Sequence, residues 1–300
     1  MQLESTYAPR ERVDLRQTLG PIGRGPQDPT FRWEGSNVWL TLRTPKGPAT
    51  LHLRSGGTIS ATAWGPGAER ALAAVPVLLG ADDDWSELDL GSHELLRETR
   101  HRMPGLRLAS TGRPFAALVP SILEQKVTSL EALRSWRRLV TKFGEEPPGP
   151  APLGMRVIPT AGAWKRIPSW EWHLAGVGPG RSATVVRAAS VADSLERCTA
   201  VSADVAATRL RSVAGIGAWT AAETVQRSHG SADQVSVGDY HLAAFVGWAL
   251  VGAPVDDDGM LELLEPWAGH RQRVVRLLLA SGFRAPKFGP KAAIQDHRAH

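Results

Sequence analysis

Apolar and polar positions alternate through much of the first third of the chain. Phe31-Arg-Trp33, Val38-Trp-Leu-Thr-Leu42 and Thr50-Leu-His-Leu53 alternate or are rich in β-formers. That is the pattern of strands with one buried face. Gly35, Gly47 and Gly56-Gly57 break the runs, and Pro45-Lys-Gly-Pro48 has turn chemistry. Residues 14–64 therefore predict a small antiparallel sheet, with a helix following near 67–79. Asp82-Asp-Asp84 and Gly91 predict a loop over 80–92 and a domain boundary there. From residue 93 the period becomes helical. Leu118 with Ile122, and Val119 with Leu123, repeat at i, i+4. Thr128-Ser-Leu-Glu131 has capping-box spacing, and Leu133, Trp136, Val140 and Phe143 mark one face of the helix it opens. The proline-rich stretch 145–152 is a loop. Further helices are predicted near 160–167, 169–174, 181–194 and 203–213. The expected fold class is α+β: a β-rich N-terminal domain over 1–90, an all-helical region over 91–290 and a frayed tail over 291–300.

Composition narrows the function classes. No apolar run approaches the roughly 20 residues that span a bilayer, and the first residues lack the apolar core of an export signal. A single cysteine, Cys198, can form neither an internal disulfide nor a thiolate metal cluster. A reducing cytoplasm is the expected compartment. The net charge is +5 and unevenly placed. Residues 1–100 carry 11 Lys and Arg against 13 Asp and Glu, whereas residues 101–300 carry 24 against 17. A basic excess in the helical part fits a nucleic-acid partner or simply a soluble surface.

The second half contains VAGIGAWTAAETVQ at 213–226 and VSVGDYHL at 235–242. An amphipathic helix with Val205, Ala206, Leu210 and Val213 on one face starts near Ser202, a good N-cap. Gly215-Ile-Gly217 then turns the chain into a second helix. The first N–H groups of that helix lack internal partners, and the helix dipole favours an anion there. Two glycines let a backbone phosphate approach, while Ile216 plugs the core. Gly215, Ile216, Gly217 and Thr220 are the expected DNA-backbone contacts, of a kind that reads no sequence. A glycine C-cap joining two helices in any helical protein is the other reading of Gly-x-Gly alone. Asp239 lies 20 residues beyond Trp219. It can act as a fixed carboxylate for chemistry or as the N-cap of the helix containing Leu242, Phe245 and Val246.

GIGAWTA followed by GDYHL resembles the helix-hairpin-helix DNA glycosylase superfamily, most closely its bacterial 3-methyladenine DNA glycosylase II type. Upstream, MPGLRLASTGRPFAALVPSILEQKVTSLEA is similar to that family's Pro-Gly-Leu-Arg, Pro-Phe and Ile-Leu-x-Gln segment. The β-rich N-terminus resembles the extra domain of that branch, so the likeness runs over about residues 14–285. The resemblance implies a catalytic role for Asp239, a pocket aromatic at Trp219 and a second at Tyr240, and a minor-groove wedge at Gln125 and Lys126. Bifunctional members carry a lysine where this chain has Trp219, so it implies base release without strand cleavage. The expected substrate is double-stranded DNA with a damaged base, an alkylated purine, handled by a monomer near the nucleoid. No cofactor is expected beyond a monovalent cation at the hairpin.

Three positions depart from the family pattern. Glu223 replaces a pocket tyrosine, Arg276 falls where a tryptophan is usual, and Lys126 falls on an apolar wedge. Glu223 can favour a cationic base in the pocket, or can pair with Arg227 at i+4 on the surface. The alternatives in function are a non-catalytic DNA-binding protein, with Asp239 only a cap, and a glycosylase for deaminated or etheno bases.

Overall fold

The computed structural model describes residues 1–91 and 93–286, so the expected tail at 291–300 lies outside the described residues. Five strands, β1 (Gln2–Tyr7), β2 (Phe31–Glu34), β3 (Asn37–Thr44), β4 (Gly47–Arg54) and β5 (Ile59–Trp64), form one antiparallel sheet. Their order is β1-β5-β4-β3-β2. The register sets Leu3, Ala63, Leu51, Leu40 and Phe31 in a row across all five strands. Those side chains share one face because strand side chains alternate. Against it pack α1 (Leu15–Leu19), α2 (Ala68–Ala73) and α3 (Val75–Leu78).

Two of these elements differ from the expectation for residues 14–64. Strand β1 precedes that range, and only Leu3 and Tyr7 of it turn toward the core, too few to make a pattern. Helix α1 stands where extended chain was expected. Asp14 caps it by accepting from the Gln17 N–H at 2.9 Å. Five residues are too short for helical periodicity to show.

The helical part comprises α4 (Glu94–Arg102), α5 (Pro114–Leu123), α6 (Ser129–Phe143), α7 (Ala161–Arg166), α8 (Ser169–Leu174), α9 (Pro179–Ser190), α10 (Ala192–Glu196), α11 (Ala203–Arg211), α12 (Ala218–Ser228), α13 (Leu242–Val251), α14 (Asp257–Leu264) and α15 (Arg271–Ala280). It holds two apolar clusters. One joins α5 to α12 and centres on Trp136, Trp164 and Trp172, which stack at 6.5 and 5.8 Å between ring centres. The other joins α13, α14 and α15 to α4 and Trp85, which come far earlier in the chain. The Thr128 capping box forms: its N–H donates to Glu131 at 2.8 Å and its hydroxyl accepts the Glu131 N–H.

Three buried polar knots tie these layers together. Asp83 takes two bonds from Arg273, at 2.8 and 2.6 Å, and one from the Leu108 N–H at 2.6 Å. Through Asp83 the acidic loop that follows α3 is therefore clamped to α15. The proline-rich stretch lies against the outer face of the sheet, with Gly149 on the Trp64 ring. Farther along that strap, the Arg156 carbonyl accepts from the Thr41 hydroxyl at 2.5 Å. Asp28, 1% exposed, accepts from Arg24 N at 2.7 Å, from Thr30 N and Oγ1 at 2.8 Å each, and from Trp136 Nε1 at 2.9 Å. It joins the N-terminal segment to α6. Asp28→Ala would strand four buried donors. Denaturant unfolding should show a loss on the order of 3 kcal/mol; a change under about 0.5 kcal/mol would mean the knot is not structural.

Candidate active site

Ser202 caps α11, whose Ala206 and Leu210 are buried. The chain then turns through 212–217 into α12. Gly215 has φ +96°, and a Cβ on it would lie 2.2 Å from Thr184 Oγ1. Glycine is required there by conformation and by space. Gly217 differs. Its φ is −91°, and a Cβ on it would meet no atom within 4 Å. The space in front of the α12 N-terminus is open, and its first N–H groups face it without internal acceptors. Ile216 is 6% exposed and belongs to the core, so only its backbone is available to a phosphate. Thr220 is 2% exposed, and its hydroxyl accepts from Gln125 at 2.8 Å. The Thr220 hydroxyl is thus engaged inside the protein.

The Gln125 amide donates both to Thr220 Oγ1, at 2.8 Å, and to the Gly215 carbonyl, at 3.0 Å, and so ties the α5–α6 loop to the hairpin. Lys126 follows with φ +52°, the only non-glycine residue with positive φ among the described residues. Its side chain is exposed at the tip of the loop. Arg181 supports that loop from α9, donating to the Leu123 carbonyl at 2.7 Å.

Asp239 ends the loop that leads from α12 to α13. Oδ1 accepts from the N–H groups of His241 and Leu242 at 2.9 and 3.0 Å, the geometry of a helix-start cap. Oδ2 accepts from the Trp219 indole at 3.0 Å. Gly238 N is held in turn by Asp257 at 3.0 Å. Asp256 caps α14 through the Gly259 N–H. The 256–258 run thus starts a helix and braces the aspartate. Asp233 pairs with Arg271 at 2.7 Å. Tyr240 does not wall a pocket: it is 90% exposed, edge-on to His241.

Trp219, Glu223 and Arg227 recur at i, i+4, i+8 and so share one face of α12. Glu223 pairs with Arg227 at 2.6 Å and accepts from Ser236 Oγ at 2.5 Å. The pairing with Arg227 forms, but it is largely buried, at 14% and 18% exposure, not on the surface. Burial alone would raise the Glu223 carboxyl; Arg227, Ser236 and Arg24 overcome that and hold it below its ordinary value. Arg24 pairs with Glu124 at 2.6 Å. Arg276 reaches this cluster from α15, and burial together with Arg227 pushes it down to about 10. Sequence reasoning missed Arg24, Glu124 and Ser236. Arg24 and Glu124 are 100 residues apart and leave no local pattern. A cavity of about 90 Å³ between the sheet and α5 includes Arg24 and Arg227 in its wall, but neither Trp219 nor Asp239.

No protein-family model and no curated protein matches the sequence. Solved structures do. The 3-methyladenine DNA-glycosylase from Archaeoglobus fulgidus superposes with a TM-score of 0.75 at 16% identity, over 93% of this chain and 99% of its own. This chain shares the fold of that DNA glycosylase. MBOgg1, solved with a low-affinity DNA ligand, gives 0.74 at 14% identity over 93% and 95% of the two chains. The 8-oxoguanine glycosylase/lyase of Clostridium acetobutylicum in its apo form gives 0.70 at 14% over 94% and 99%. At such identities the likeness is one of fold.

The two hairpin glycines should separate by experiment. Gly215→Ala should lower the melting temperature, because it combines positive φ with a clash at Thr184. Gly217→Val should melt as the wild type does. It should weaken binding to damaged and undamaged duplex alike by about 1.5–3 kcal/mol, the range for one hydrogen bond to a charged group. A loss restricted to lesion-bearing DNA would instead place Gly217 at the base.

Proposed function

We propose that the chain is a monofunctional DNA N-glycosylase that flips an alkylated purine out of duplex DNA and hydrolyses its glycosidic bond. The observation that carries this reading is the Asp239 carboxylate, fixed by the Trp219 indole on one oxygen and by two N–H groups on the other. Breaking the C1′–N bond builds positive charge on the sugar, and a preorganised carboxylate opposes it at no cost in reorientation. The same carboxylate can orient the attacking water. Trp219 offers an aromatic wall for the flipped base. The hairpin backbone holds the phosphate, and Lys126, with positive φ at the tip of the α5–α6 loop, stands ready to enter the vacated stack. Alkylated purines suit such a site because a base that already carries positive charge leaves readily once flipped. Lyase chemistry needs an amine at the sugar, and Trp219 supplies none.

Asp239 is also a cap, which favours a second reading, DNA binding without catalysis. Asp239→Asn separates the two, since asparagine caps a helix about as well as aspartate. The variant should fold and bind DNA like the wild type. Base release from methylated duplex, identified by mass spectrometry, should fall on the order of 100- to 1,000-fold. Release at near the wild-type rate would leave Asp239 as a cap alone. Product strands should stay intact until heated in alkali, and borohydride should trap no adduct; a trapped adduct would implicate Lys126.

A further inference from the structure

A groove of about 660 Å³ lies between α9, α10 and α11, and none of Lys126, Trp219 and Asp239 lines it. Clefts that take a ligand have volumes of roughly 300–1,000 Å³. Its floor is apolar. Leu195 and Cys198 are buried there, Val186 and Val213 are half-buried, and Val191 at the rim is 41% exposed. Three arginines, Arg187, Arg197 and Arg209, stand in its wall, and among the described residues no carboxylate does. All three are exposed. The guanidinium groups of Arg197 and Arg209 have neither a hydrogen bond nor an ion pair among the described residues. The acidic residues close to them in the chain are engaged elsewhere or stand off the wall. Glu196 accepts the Phe115 N–H at 3.0 Å, and Asp204 accepts from the Gln234 amide at 2.6 Å. Asp193 does not line the groove. One end of the groove is the hairpin itself. Ser212 and Ala214 belong to its wall, and Arg187 donates to the Ala214 carbonyl and to the Thr184 hydroxyl, at 2.9 Å each.

Unopposed cations around an apolar floor select an occupant that is anionic at its edges and apolar at its centre. We propose that this groove binds an acidic segment of a partner protein, its carboxylates on Arg187, Arg197 and Arg209 and one aliphatic or aromatic side chain on the apolar floor. Arginine's planar fork pairs with both oxygens of a carboxylate. An apolar anchor buried among such pairs adds affinity that exposed charges alone do not supply. A DNA backbone would use the arginines and leave the floor idle, because a phosphate gains nothing from lying against Leu195 and Val213. The chain's own residues 287–300 are of the wrong sign, with Lys287, Lys291 and Arg298 against Asp296. The wall of the groove stops at Ala214, so Gly217 and the open space before α12 stay free while the segment is bound. A partner and a duplex can therefore be held at once.

The test is fluorescence anisotropy of the full chain with short labelled peptides of aspartate and glutamate around one leucine, isoleucine or phenylalanine. Two controls accompany them, one with serine at the centre and one with asparagine and glutamine in place of the acids. At least one acidic peptide with an apolar centre should bind about tenfold or more tighter than both controls. Arg197→Glu combined with Arg209→Glu should weaken that binding by about tenfold or more, since two attractions become repulsions. Val191→Ser should narrow the gap between the apolar-centred and serine-centred peptides. All three positions are exposed, so the variants should melt as the wild type does. Their affinity for undamaged duplex should be unchanged at physiological salt, which screens charges beyond about 8 Å. Saturating duplex should leave the peptide in place. Peptides that bind no tighter than the controls, or as tightly to the double variant as to the wild type, overturn the proposal. A duplex that displaces the peptide, or a double variant that loses duplex affinity, also overturns it and makes the groove part of the DNA path.

Discussion

Glu223 is a carboxylate inside a helical protein, and much of the site is arranged around satisfying it. Arg227 answers it from the next turn, Ser236 from the loop leading to Asp239, and Gln226 holds the same serine at 2.9 Å. Arg227 in turn reaches the N-terminal segment through the Pro21 carbonyl. One buried charge thus fixes the α12 face, the start of the loop that leads to Asp239 and the seam with the sheet. Removing one member of such a pair typically costs about 3–5 kcal/mol, because the survivor is left buried and unpaired. The Asp239 carboxylate inherits its position from this arrangement, since the loop that carries it is pinned at Ser236 before it arrives at Gly238.

The charge at position 223 is answered where it stands. Arg227 and Ser236 engage the Glu223 carboxylate and hold it below its ordinary pKa. Arg276, on α15, is an electrostatic neighbour of the same pair.

What could be read from the chain was local. Strands β2 to β5 show as alternation, the Thr128 box as a four-residue spacing, and the hairpin as two glycines between amphipathic helices. Each is governed by neighbours within a turn or a pleat. What could not be read was long-range: Arg24 with Glu124, Asp83 with Arg273, and the docking of Gln125 on Thr220. A side chain whose partner is about 100 or more residues away leaves no period in the sequence. The acidic runs at 82–84 and 256–258 show the same limit from the other side. Neither run shows a partner nearby in the sequence, yet Asp83 is a buried counter-ion and Asp257 braces the backbone at Gly238. Tryptophans were as ambiguous: Trp164 is wholly buried in a stack with Trp136 and Trp172, while Trp219 turns its indole to the aspartate.

The pairing of α4 with α15 has a bearing on synthesis. The α13–α15 cluster is closed by Trp85, Leu96 and Leu106, which are translated well over a hundred residues before Val274 and Leu278. At elongation rates of roughly 5–20 residues per second, those early apolar residues wait about 10–40 seconds for their partners. The sheet and the tryptophan-centred cluster can complete meanwhile, since their members have all emerged. The nascent chain thus carries an unclosed apolar segment between two finished cores, a natural substrate for a holding chaperone. For the same reason the α13–α15 half cannot be cut out as one continuous piece with its core intact.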